Sequence, residues 1–109
     1  MRKLKTFDVF KMARIIRMSG AKEELADSLR ATQTGEAPGE VGISLMMTLI
    51  TVCSEENVEN ALYELIGDIA EEKPDAIKNM DLDKLVDLFK EIGEQNNLSN
   101  FFETAVKSA

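Results

Sequence analysis

Few side chains among these 109 residues could do covalent chemistry. There is no histidine, and the one cysteine is Cys53. Without an imidazole there is no Ser–His or Cys–His nucleophile pair and no Cys/His zinc site. Cys53 ends an apolar run, where a free thiol behaves as a small buried hydrophobe. Acids stand close together at Asp81-Leu82-Asp83, Glu55-Glu56 and Glu71-Glu72. A calcium loop needs acids at alternate positions, a central Gly and a terminal Glu. Helical periodicity follows Asp81 instead, so it reads as a helix cap. Paired catalytic carboxylates need an enclosing cleft, and nothing around the other two pairs suggests one. Gly35, Gly39 and Gly42 lack the Lys-Ser/Thr ending of a phosphate loop. The expectation is a protein that is not an enzyme, with no catalytic residue, no cofactor and no metal.

Recognition chemistry is better represented. A helix from about Thr6, its N-cap, to Ser19, stopped by Gly20, places Val9, Met12, Ala13, Ile15 and Ile16 on one arc. The other arc gathers Phe7, Phe10, Lys11, Arg14, Arg17 and Met18. Aromatics, Met and Arg are the residues that protein interfaces favour, so this face is the candidate site for a partner or for self-association. Its alternative is a solvated basic face with Phe7 and Phe10 tucked under a neighbouring loop. A basic, aromatic surface can also hold nucleic acid, but the charge of the chain opposes that.

That net charge is −7. Residues 1–30 carry eight Lys/Arg against four Asp/Glu, whereas 31–109 carry five against sixteen, so +4 is followed by −11. Phosphate binding relies on clustered cations, and the acidic majority argues against a general nucleic-acid binder. The split itself could steer one subunit's basic end towards another's acidic flank.

The elements that must position this face are helical. Val41–Cys53, VGISLMMTLITVC, has no charge and no period-2 alternation, which predicts a helix that needs cover on nearly every side. It is too short for a bilayer, which takes about 20 apolar residues. Ser44, Thr48 and Thr51 lie at helical spacing along it, each hydroxyl able to bond the carbonyl one turn back. The Met12, Met18, Met46, Met47 group reads mainly as core, although adaptable Met surfaces also grip varied partners. Lys22–Arg30 reads as a short helix with Leu25, Ala26 and Leu29 inward. Residues 31–40, rich in Thr, Gly and Pro, read as a flexible loop inside one domain. A further helix starts at Ser54, carries Val58, Ala61, Leu62, Leu65, Ile66 and Ile69, and ends at Lys73-Pro74. One short helical turn is expected over Pro74–Met80. Leu82–Gln95 is amphipathic, with Leu82, Leu85, Val86, Leu88, Phe89 and Ile92 on its apolar face, and Leu98–Lys107 closes the chain. The fold class is therefore all-α: a single compact domain, 1–109, of five or six helices around 41–53. With no signal-peptide h-region after the basic start and no membrane segment, a cytosolic protein is expected.

The runs ARIIRMSGAKEEL at 13–25 and NMDLDKLVDLFKEIGEQNNLSNFF at 79–102, with the uncharged helix between them, resemble the tail assembly chaperones of long-tailed phages and prophages of Gram-positive bacteria. The resemblance implies a small, acidic, all-helical protein in the host cytoplasm, absent from the mature virion. It implies binding to the phage tape measure protein, which is kept soluble while tail tube protein surrounds it. It also implies a homo-oligomer, and a longer form made by translational frameshifting that reaches the tail tube protein. No family residue has a chemical role to carry over to a numbered position here. Other classes stay open beside it: a small helical DNA-binding regulator using the basic first helix, or a structural tail completion or adaptor protein.

Overall fold

The 3–4 spacing of apolar residues is realised as helix throughout the computed structural model, which describes residues 1–31, 37–52 and 55–109. Among these residues there is no strand. The helices are α1 (Thr6–Ser19), α2 (Lys22–Ala31), α3 (Pro38–Val52), α4 (Glu56–Ala70), α5 (Pro74–Lys78), α6 (Leu82–Gln95) and α7 (Leu98–Ser108). Among the described residues seven helices replace the expected five or six, because Pro74–Lys78, within the stretch expected to hold one short turn, forms a helix of its own. Pro74 opens it, at the position where a preset φ helps and a missing N–H costs nothing.

Several boundaries differ from expectation for local reasons. The predicted loop over 31–40 is helical at both ends: Ala31 closes α2, and Pro38–Glu40 form the first turn of α3. Again a proline starts the helix. Residues 32–36, where the flexible loop was expected, lie outside the described residues. So do Cys53 and Ser54, with the expected buried thiol and hydroxyl cap. Helix α4 stops at Ala70, before Pro74 can act. Glu71 adopts a left-handed conformation, φ 61°, and the Glu72 N–H reaches back to the Gly67 carbonyl at 2.8 Å, the Schellman ending. Lys5 rather than Thr6 is the N-cap of α1. Asp81 does sit at the N-cap of α6, but its side chain makes no capping hydrogen bond there. The Asn97 side chain caps α7 by accepting from the Asn100 N–H at 3.1 Å.

The core draws on every helix. Met12, Ile16, Leu25, Leu45, Leu49, Ile66, Phe89, Ile92 and Phe102 are among its fully enclosed side chains. Helix α3 packs most extensively on α6, and beyond that on α2 and α7. It is not wrapped all round, as its composition predicted. Val41, Leu45, Met46 and Leu49 are buried, while Ile43, Met47 and Ile50 are half-exposed and Thr51 is exposed. Thr48 and Thr51 donate to the Ser44 and Met47 carbonyls, both at 2.9 Å, as their spacing predicted. Thr48 also meets the Ser28 hydroxyl of α2 at 3.2 Å. The apolar face of α6 is likewise covered only towards its C-terminal end: Phe89 and Ile92 are buried, Leu85, Val86 and Leu88 half-buried, and Leu82 is 63% exposed. Helix α7 serves as a second centre, packing on α1, α2 and α3 with Phe102 and Ala105 out of solvent. Helix α1 is held between α7 and α4, which leaves its remaining side for the candidate face.

Candidate functional site

Helix α1 buries Met12, Ala13, Ile15 and Ile16 and half-buries Val9, so the predicted inner arc is the observed one. The outer arc is largely in solvent. Phe10 is 60%, Met18 49% and Phe7 46% exposed, and Arg14 and Arg17 are exposed as well. Phe10 is therefore not tucked under a loop, whereas Phe7 is partly covered by Arg2 of the segment that precedes α1.

The six residues do not have equal surroundings. The Phe7 ring lies beneath two cations, with the Arg2 guanidinium and the Lys11 ammonium each 5.1 Å from its centroid, within reach of a cation–π attraction. Lys11 is also 3.7 Å from the Asp68 carboxylate of α4. The Arg17 guanidinium donates to the Ser108 carbonyl at 3.3 Å, bracing one edge of the face against α7. Arg14 makes no ion pair among the described residues. Phe10, Arg14 and Met18 are therefore the freest of the six.

An ion cluster that the sequence reading missed sets the pose of this helix. Asp8 has no exposed surface. Arg2 donates to both its carboxylate oxygens, at 2.7 and 2.8 Å, and the Lys5 N–H donates to it at 2.8 Å. Arg2 continues across to α4, donating to the Asp68 carboxylate and, at 3.1 Å, to the Asp68 carbonyl. Its own N–H pairs with the Ile69 carbonyl at 3.0 Å. Burial pushes the Asp8 carboxyl upward. The hydrogen bonds from Arg2 and Lys5, with the charges of Arg2 and Lys11, outweigh it and hold Asp8 below the usual carboxylate range. Asp8 in return raises Arg2 further, so the guanidinium stays charged. The signal available in the sequence was an acid at the third helical position, where it can accept from the cap N–H. Nothing in the spacing showed that it turned inward. Because Asp8 is the single acid of α1, the outward side of that helix carries cations alone.

Between α1 and α4 lies an open groove of about 270 Å³. Ile15 and Leu65 form its floor, Met18 and Ala61 its apolar sides, Lys11 and Arg14 one lip and Glu64 the other. Of the predicted residues, Lys11, Arg14 and Met18 thus border a shared depression, whereas Phe7, Phe10 and Arg17 do not line it. Leu82, placed on the apolar face of this helix by its periodicity, is an exposed residue on α6. Among the described residues, no helix is long and apolar enough to cross a membrane.

No family model matches the chain, and comparison with curated proteins and with solved structures likewise gives no match.

Proposed function

We propose that this chain is a tail assembly chaperone: a binding protein without catalysis that holds the tape measure protein of a long-tailed phage in the host cytoplasm until tail tube protein encloses it. Two independent lines support this reading. One is the resemblance carried by residues 13–25 and 79–102. The other, which carries most weight, is physical: α1 keeps Phe10 and Met18 in solvent beside a groove with an apolar floor. A monomeric fold gains from burying such side chains, and an apolar cluster rimmed by cations is suited to a protein partner. A tape measure protein is long, helical and amphipathic, and helix-in-groove binding is the mode by which such a segment is covered. On this reading the chain also self-associates, contacts tail tube protein through a longer frameshifted form, and is left behind when the virion matures.

The test is co-expression with a tape measure protein of a long-tailed phage. The wild-type chain should move that protein into the supernatant, and Met18→Asp should leave it in the pellet while keeping its own helicity. A long protein equally insoluble with and without the wild-type chain would remove the proposal. Finding the chain in purified particles would favour a structural tail component instead.

A further inference from the structure

We infer that the groove between α1 and α4 receives one amphipathic helix of the partner, and that the carboxylates bordering that helix's apolar stripe are read by Arg14 and Lys11. This rests on the proposed function and specifies the chemistry of the segment bound. Size comes first. At about 270 Å³ the groove is smaller than the roughly 300–1,000 Å³ of small-molecule sites. It suits one or two apolar side chains, the way a helix anchors itself by residues one turn apart. The floor is already in place, since Ile15 and Leu65 are buried core residues whose outer surfaces line the groove. Met18, half in solvent at one side, is flexible enough to close over whatever enters.

Charge then selects the occupant. The chain as a whole is −7, yet the outward side of α1 shows Lys11, Arg14 and Arg17 with Asp8 turned inside. Lys11 is partly satisfied by Asp68 and Arg17 by the Ser108 carbonyl. Arg14, on the groove lip, has no counter-ion among the described residues. A planar guanidinium with free donors is the group best matched to a carboxylate. Glu64 on the opposite lip does not pair with it and would face the other flank of the bound helix. A helix with lysines on both flanks would meet Arg14 and Lys11 as like charges, which complementarity rules select against.

Two labelled helical peptides of about 18 residues, or five turns, would test this, sharing one leucine stripe and an uncharged flank towards Glu64, and differing only in Glu or Lys on the flank that meets Arg14 and Lys11. Fluorescence anisotropy with the full chain should show the Glu-flanked peptide binding about tenfold more tightly, with the difference shrinking as salt screens it. Arg14→Glu should abolish or invert the preference, and Met18→Asp should weaken both peptides; both positions are exposed, so circular dichroism should show unchanged helicity. Equal binding of the two peptides, no binding of the Glu-flanked one, or a preference unmoved by Arg14→Glu would overturn the inference. So would groove variants that alter only the protein's own mass, which would make the occupant a second copy. Solubility rescue without peptide discrimination leaves the chaperone reading standing and this inference lost; discrimination without rescue does the reverse.

Discussion

Gly42 of α3 and Gly93 of α6 bring two helix backbones into direct contact. A methyl group on Gly42 would lie 2.5 Å from the Phe89 carbonyl oxygen and 2.9 Å from the Gly93 Cα. One on Gly93 would lie 2.4 Å from the Pro38 carbonyl oxygen and 2.9 Å from the Gly42 Cα. The neighbours in both cases are backbone, which cannot rotate aside. This crossing explains how the greasiest helix of the chain reaches Phe89 and Ile92 without large side chains between.

Gly93→Ala should therefore destabilise the fold although alanine is the better helix former. The helix propensity gain is about 1 kcal/mol, while forcing a methyl into a packed crossing typically costs about 1–3 kcal/mol and sometimes more. Because the contact is with backbone, the upper part of that range applies, and a net loss of about 2 kcal/mol is expected in urea unfolding. Gly42→Ala should behave alike. The double variant should lose less than the sum, since one separation of the helices accommodates both methyl groups.

Arg2→Met should cost about 3 kcal/mol or more, because it leaves the enclosed Asp8 charge without its partner. The same substitution should move the Asp8 carboxyl from below its ordinary range to above it, a reversal that carboxyl NMR titration would follow. In the wild-type chain Asp8 is depressed when folded, so its contribution is fully present above the unfolded value of about 3.9 and is lost as pH falls through the folded one. Asp8→Asn should be less stable at neutral pH, with a shallower loss on acidification below about pH 4. Parallel acid-unfolding curves for wild type and Asp8→Asn would contradict this account.

Glu71→Gly should raise stability. Glu71 holds φ 61° at the end of α4, a conformation that glycine adopts without a Cβ penalty. The ion pair of the exposed Glu71 carboxylate with the N-terminal ammonium, 3.5 Å away, is lost at small cost, so a net gain of about 0.5 kcal/mol in thermal or urea unfolding is the expected result. Glu71→Ala should show no such gain, since it retains the Cβ.

Tyr63 offers a spectroscopic check, as the chain has one tyrosine and no tryptophan. Its hydroxyl donates to the Glu59 carboxylate at 2.7 Å. That bond, with burial and the Glu59 charge, raises the phenol above its ordinary value. Glu59→Gln should bring the phenolate absorbance transition back down. With a raised folded value, any stability from this bond is complete below the unfolded pKa of about 10 and is lost as pH rises through the folded one.

Self-association through the outer arc of α1 is expected to respond to Phe10, which is exposed there, and to salt. Phe10→Asp should lower the mass seen by light scattering while helicity is retained. High ionic strength should also lower it, by screening the attraction between the basic first 30 residues and the acidic remainder. A mass indifferent to both would exclude this edge as the contact.

What the sequence determined by itself was mostly local. The 3–4 spacing set helix identity and the inner arc of α1, because periodicity decides which side chains share a face before any neighbour exists. It also placed Phe10, Arg14 and Met18 together on the outer arc. Tertiary structure decided which faces found a partner. Leu82 has the same periodic credentials as Phe89, yet it stays in solvent because the other helices cover only the far end of α6. Ile43 and Met47 on α3 are only partly covered against the core. Asp8 is the converse case, an acid in a helix's first turn that spacing would leave outside. Arg2, six positions away, enters the fold with it and joins it to Asp68 on a helix some sixty residues later. Such pairings depend on where distant segments dock, and no period within a helix encodes that.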